Sequence, residues 1–373
     1  MKATKLIIGF CFFVLTIGFA SAACQISDSE GNDNFYQPQE ISSSCLTQGI
    51  EIEGDILPIG DVDVFEIEGS FLRGERVTFE VEGIGPGNSL DPTIGIFNAN
   101  GEQLYINDDI NWQTNYDSRI SFVLRDDYVK LYLAIASHPF SHDYQTGNYH
   151  AEFTKVQDVY PGVNPQRLLL DFDGEEDVVI SVLPPIDTLP LEESWLAEEY
   201  PGQIDLIKEI IVEKMIENYA GQGVEIYTTD GSLPQEPYSA IYFGAYYPNA
   251  LGHADHADEY NEFQMDNAIV YVENFRSPSN FLDPTVEEIS QALANIGSHE
   301  AGHILGLEHT VDVDEIMDTT ASFRDLMEEQ DFHIASLDEF AFPIGKQDSP
   351  YLLDITTSCP AATPYFVNAW FGI

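Results

Sequence analysis

The sequence predicts two successive domains, an all-β sandwich followed by an α+β domain, on three observations. The chain has 373 residues, more than the ~250 at which a single core stops growing. Its first half alternates apolar and polar residues with period two, and its second half mixes short strand-like runs with segments of helical period. The expected division is 1–23 an export signal, 24–46 an N-terminal segment, 47–155 the sandwich, 156–165 a linker and 166–373 the α+β domain.

The first element is the leader. "MKATKLIIGFCFFVLTIGFASAAC" has Lys2 and Lys5, an apolar run from Leu6 to Ala20 and small residues suited to cleavage after Ala22 or Ala23. The run is shorter than the ~20 residues of a spanning helix, and no later segment reaches that length without charge or proline. An extracellular protein without a membrane span is expected. Cys24 just after the small residues also allows a lipid anchor, although Ser21 stands where such sites favour a larger aliphatic residue. Cys24, Cys45 and Cys359 remain after cleavage, an odd number. Cys24–Cys45 is the local bridge, and Cys45–Cys359 would join the chain's two ends.

From about Ile50 to Phe153 the runs "DVDVFEIEG", "ERVTFEVEG", "PTIGIFNANG", "RISFVLRDD", "VKLYLAIAS" and "GNYHAEF" alternate, with turn residues roughly every ten positions, the spacing of a small antiparallel sandwich. "KVQDVYPGVNPQ" lacks periodicity and has two prolines, so it reads as the linker. Strands follow at "RLLLDFD", "GVEIYTT", "SAIYFGA" and "NAIVYVENF", with a helix carrying Ile204, Ile207, Ile211, Met215 and Ile216 near helical spacing. A last helix opens at Asp283 or Thr285; Thr285 and Glu288 have the form of a capping box. Its core-facing stripe is Val286, Ile289, Leu293 and Ile296.

The formal charge of −50 at pH 7 repels phosphate backbones, so nucleic acid is not an expected partner. The acidic residues are spread beside 44% hydrophobic residues, as in a folded protein with a strongly solvated surface; a salty habitat or Ca²⁺ binding fits equally.

The chemistry concentrates in "GSHEAGHILGLEHT". His299 and His303 are four apart on the last helix, about 40° from each other around its axis, so both imidazoles reach one point. Gly306 can take the positive φ that ends the helix and brings His309 back to the same point. Three nitrogen ligands and an open position suit one catalytic Zn²⁺. Glu300 stands where a general base could reach water without ligating the metal.

"HEAGHILGLEH" fits H-E-x-x-H-x-x-G-x-x-H without a mismatch, and "DEIMD" supplies a methionine eight residues after His309. The chain resembles a metzincin, nearest to the matrixins or a bacterial matrixin-like branch, over roughly residues 166–345. The resemblance implies a zincin-like fold, His299, His303 and His309 as zinc ligands, Glu300 as base and Met317 as the turn residue beneath the site. It also places the strand in "DNAIVYVENF" at the sheet edge, against the substrate backbone. Families with a fifth tyrosine ligand carry it two residues after the methionine, where this chain has Thr319. No P-R-C-G-x-P-D segment is present to silence zinc with a thiolate, and "IEGDI" at 52–56 has only the outline of an astacin-type aspartate latch. In the first half, an Asp-Val-Asp-Val-Phe strand, "LDPTIGIFNANGEQLYINDD", "DSRISF" and a closing "TGNYHAEF" resemble the pre-peptidase C-terminal domain of secreted bacterial proteases.

Two other clusters could hold metal. "GHADHADEYNEFQMDN" begins His253-Ala-Asp255, the H-x-D start of a matrixin structural-zinc pattern, and "NDDINWQTNYD" gathers carboxylates and amides of the kind that bind Ca²⁺. The whole points to a secreted zinc-dependent endopeptidase acting on a protein or peptide. The competing expectation is an extracellular adhesion or binding protein whose protease-like half is inert, against which the intact Glu300 argues.

Overall fold

The computed structural model describes residues 22–85, 90–111, 113–139, 146–181, 183–231 and 233–358. The expected leader except its last two residues, and Cys359 with its expected pairing, lie outside these. One five-stranded sheet has the lateral order β1 (Cys24–Ser27), β3 (Ile50–Ile56), β10 (Gly147–Gln157), β5 (Glu75–Ile84) and β8 (Ser118–Val123). A second has the order β2 (Gln39–Ile41), β4 (Val62–Phe71), β9 (Tyr128–Ser137), β6 (Pro92–Phe97) and β7 (Gln103–Asn107). Alternation sends Ile50, Ile52, Val77 and Phe79 of the first and Phe65, Ile67, Ile94 and Leu131 of the second into one buried layer.

Residues 24–46 are not a separate segment. β1 pairs in parallel with β3, and β2 in parallel with β4, so this stretch adds an edge strand to each sheet. A Cys24–Cys45 disulfide closes it, with 5.5 Å between Cα atoms. "IEGDI" lies within β3, paired along its length with β10, and is a sandwich strand, not a latch.

The third sheet has the order β12 (Val224–Thr228), β11 (Gln166–Asp171), β13 (Ser239–Gly244), β15 (Asn267–Tyr271) and β14 (Gly252–Ala254). Four strands are parallel and β14 alone is antiparallel. The α+β expectation therefore holds only loosely, because helices cross over between parallel strands. β15 is interior, paired on both sides, and the edge is β14. The apolar run of β15 fits this position: a strand covered on both faces needs no alternation.

The helices are α1 (Trp195–Glu199), α2 (Ile204–Asn218), α3 (Arg276–Leu282), α4 (Val286–Ile304) and α5 (Ser349–Thr357); β16 (Ile334–Ser336) and β17 (Lys346–Asp348) form a small hairpin sheet. α2 buries Ile204, Ile207, Ile211 and Met215 against α4 and the sheet, whereas Ile216 lies 51% exposed on the opposite flank. Thr285 caps α4, its hydroxyl accepting from Glu288 N while Glu288 accepts from Thr285 N, and the predicted stripe is buried. Among the described residues, no helix is long and apolar enough to cross a membrane.

The sandwich and the third sheet share a packed junction. Tyr260, 4% exposed, enters the sandwich core, stacks on Phe122 at 5.5 Å and donates its hydroxyl to Leu104 O at 2.9 Å. Asn164 and Asn261 exchange side-chain to backbone hydrogen bonds across the same junction.

Candidate metal centre

The final turns of α4 carry His299 and His303, and the chain reverses at Gly306, whose φ of +86° is open to glycine at little cost. Gly306 N donates to His303 O and Leu307 N to Gly302 O, satisfying carbonyls that the helix end leaves free. The turn returns His309 to the helix. The three imidazoles then meet: their ligand nitrogens all lie within 4.8 Å of one another, and their ring centroids are 4.6 to 5.2 Å apart.

Their hydrogen bonds define which nitrogen faces inward. His299 Nδ1 donates to Ile316 O and His303 Nδ1 to Leu307 O, both at 2.8 Å, because a carbonyl can only accept. Each Nε2 therefore presents a lone pair to the common point. His303 Nε2 and His309 Nε2 are 3.0 Å apart, and two lone pairs so placed repel unless a proton or a cation stands between them. Burial disfavours a positively charged ring in this group. It pushes His299 down to about 3, with His309 adding to the effect, and it holds His303 well below the ordinary imidazole range. His309 is also lowered by burial, with Asp338 and Asp318 pulling it back. A neutral nitrogen set of this kind fits zinc.

Glu300 is 5% exposed, no described residue hydrogen-bonds its carboxylate, and burial pushes it up to about 8. Its neighbour across the cleft is β14: a Cβ at Gly252 would run into the Glu300 carboxylate, so glycine alone leaves that carboxylate its place. A cleft of about 650 Å³ opens here, lined by Leu251, Gly252, His299, Glu300, His309 and Thr319 among others.

Met317 is fully buried beneath the histidines, and a Cβ at Gly302 would collide with its sulfur, so the glycine inside the histidine motif makes room for the methionine. Glu315 supports this turn and was not foreseen. It is fully buried and accepts from Thr310 Oγ1 at 2.8 Å, Met317 N at 2.6 Å and Ser349 Oγ at 2.7 Å. An acid two residues before the turn methionine was the available signal. Asp338, also unforeseen, accepts from Thr319 Oγ1 at 2.6 Å while its N–H donates to His309 O.

The other clusters behave differently from expectation. His253 and Asp255 do not converge: Asp255 accepts from Ser181 N and Asn267 N, and His253 Nδ1 meets the Tyr271 hydroxyl at 3.1 Å. Asp255 lies beyond the end of β14, where both its oxygens are taken by backbone N–H groups, so it is not free to join His253. In the 107–117 loop, Trp112 is outside the described residues, Asp108 pairs with His138 at 2.9 Å and Asp117 accepts from Gly83 N. Among the described residues its carboxylates form no metal-type group, so calcium finds no support there.

Residues 215–341 match the model of the matrixin family. No curated protein matches. Solved structures with some likeness include archaemetzincin from Methanopyrus kandleri, at 16% identity and TM-score 0.27 over 46% of this chain and 89% of that one. A zinc-dependent peptidase from Methanocorpusculum labreanum follows, at 14% identity and TM-score 0.27 over 44% and 93%. The pre-peptidase C-terminal domain of a collagenase from Bacillus anthracis is similar at 11% identity and TM-score 0.22 over 36% and 96%. The three-histidine centre at the end of α4 lies inside the matched segment, and the two together support a metzincin-like zinc metallopeptidase.

Proposed function

We propose that the protein is an exported endopeptidase in which Glu300 is the general base and His299, His303 and His309 hold one zinc ion above Met317. Zinc would supply Lewis acidity at the point where the three Nε2 atoms meet. Glu300 takes a proton from the attacking water and returns it to the leaving amine, so no covalent intermediate is needed. The observation that carries this reading is the convergence of three imidazoles, two of them with Nδ1 given to backbone carbonyls, and a buried carboxylate beside them that no described residue hydrogen-bonds.

An extended peptide would lie along β14, whose outer edge is unpaired among the described strands and borders the cleft. Main-chain pairing of that kind binds peptide without regard to sequence and suits cleavage within a chain. The division proposed is residues 47–155 as the sandwich core, extended by the strands of 24–46, and 166–373 as the peptidase. Cys24 is read as free of lipid, because a thioether and the Cys24–Cys45 disulfide would use the same sulfur.

The test is digestion of a denatured protein by the full chain. Cleavage should stop with a chelator, return with zinc, and fall by ~10²–10⁴ in Glu300→Ala while zinc content is unchanged. Undiminished cleavage in Glu300→Ala would remove Glu300 from the chemistry, and no cleavage by the zinc-loaded chain would favour the binding-protein reading.

A further inference from the structure

We infer that His256, Asp258 and Asp266 form a second metal site, selective for a divalent transition cation such as Zn²⁺, in the loop between β14 and β15. Each offers a ligand atom, and these lie within 4.8 Å of one another. The group is distinct from the His253-Asp255 pair, whose side chains are engaged elsewhere.

An independent observation points inward to the same place. Asp266 is 7% exposed, its N–H is held by Ser239 Oγ, and its Oδ2 is buried without a hydrogen-bond partner. A carboxylate oxygen removed from water and left unpaired is costly, and a cation relieves that cost. Asp258, 4% exposed, accepts one backbone N–H at each oxygen, from Glu262 at 3.1 Å and Phe263 at 2.7 Å. Each oxygen retains a further lone pair. Two neighbouring buried carboxylates repel each other, so either a proton or a cation must lie between them. His256 is exposed, and its ring can swing the short way needed to close ligands around an ion ~2.0–2.2 Å from each.

The donor set decides the class of ion. Ca²⁺ takes six to eight oxygens, whereas one imidazole and two carboxylates completed by water suit zinc or a neighbouring transition ion. The site would also brace the catalytic centre. Asp258 N donates to His303 O at 2.9 Å, and its backbone O faces Gly306, so an ion tying Asp258 to the start of β15 holds the end of α4 in place.

The experiment is metal analysis of the full chain equilibrated with Zn²⁺ and gel-filtered, with thermal unfolding as a second readout. The wild type should carry two equivalents; His256→Ala and Asp266→Asn should each carry one and unfold several degrees lower in zinc. His253→Ala should keep two. A variant with His299 and His303 both changed to alanine should keep one, which separates failure of this site from failure of the catalytic one. Since His256 is exposed, His256→Ala is the variant expected to fold without difficulty. Retention of two equivalents by His256→Ala, or a single equivalent in the wild type that His256→Ala leaves untouched, overturns the proposal. So does a site that millimolar Ca²⁺ fills in preference to Zn²⁺, or a carboxyl pair that binds no ion and shares a proton instead.

Discussion

Replacing Gly306 with alanine tests whether the reversal after α4 places the third histidine. Two costs add. A φ of +86° asks an L-residue to adopt the left-handed region, at ~1–2 kcal/mol. The new Cβ would also stand 2.5 Å from Glu259 Cα and 2.8 Å from Asp258 O. Both are main-chain atoms that cannot swing aside, so the loop must move by roughly an ångström, at ~1–3 kcal/mol. The sum, ~2–5 kcal/mol, lowers Tm by roughly 4–20 °C at ~2–4 °C per kcal/mol. Gly221 supplies the control, with φ +89° and open space around its hypothetical Cβ. Gly221→Ala should show only the backbone cost, and any entropic gain in the unfolded chain cancels between the two variants. The displaced loop also moves His309 relative to His303, so zinc affinity by chelator competition should fall ~10–100-fold in Gly306→Ala alone. Equal Tm losses in the two variants, or unchanged zinc affinity in Gly306→Ala, would refute the reasoning.

Gly252→Ala should displace the Glu300 carboxylate, and because a shift of about 1 Å can cost ~10²-fold in rate, kcat should fall by that order with zinc content retained; steady-state peptide hydrolysis and metal analysis check it. Glu315→Ala leaves the Thr310 and Ser349 hydroxyls and Met317 N–H without their acceptor, and at ~1 kcal/mol or more for each stranded group urea unfolding should show a loss of at least ~3 kcal/mol. Asp63, 1% exposed, is raised by burial from 3.8 to about 8 while Tyr149 donates to it. The folded chain therefore keeps a proton that the unfolded chain releases, so this contribution is complete below about pH 4 and is lost as pH rises through about 8. Asp63→Asn should flatten the fall in Tm between pH 5 and 8 measured without added divalent cations, recovering at most about 6 kcal/mol; an unchanged slope would show that Asp63 ionises in the fold without penalty.

The zinc helix was legible because its signals are local. The capping box, the apolar stripe at three- and four-residue spacing and the glycine after the last turn each act within a few residues, and all stand where their chemistry places them. The strands of the sandwich were legible for the same reason, since alternation records which face is buried. What escaped depends on contacts distant in sequence. Nothing in the letters of "DNAIVYVENF" distinguishes an edge from an interior strand, because pairing is decided by β13 and by the three residues of β14. Likewise, β1 and β2 are too short to show a period. Glu315 and Asp338 act through donors at positions 310, 317, 319 and 349, which only the folded chain assembles. The His253-Asp255 pair belongs here too, for spacing alone does not show that Ser181 N and Asn267 N claim the Asp255 carboxylate.

The junction bears on whether the sandwich is a detachable pro-segment. An inhibitory segment that is cut away must leave a surface the enzyme can tolerate in water. Tyr260 belongs to the same loop as Asp258, whose N–H holds His303 O, and its ring lies in the sandwich core beside Phe122 and Tyr105, with Arg125 over its face at 4.9 Å. Removing the sandwich would expose that ring, strip Leu104 O from its hydroxyl and free the loop that braces the zinc helix. Truncating such an aromatic contact costs ~3–5 kcal/mol in a packed core, and the loss would fall next to His303. The sandwich also leaves β14 the outermost strand of its sheet, so it does not occupy the edge where a peptide would lie. A domain that supports the helix of the metal centre from behind while leaving the β14 edge open is expected to stay with the peptidase half, so residues 156–373 alone should be the less active form.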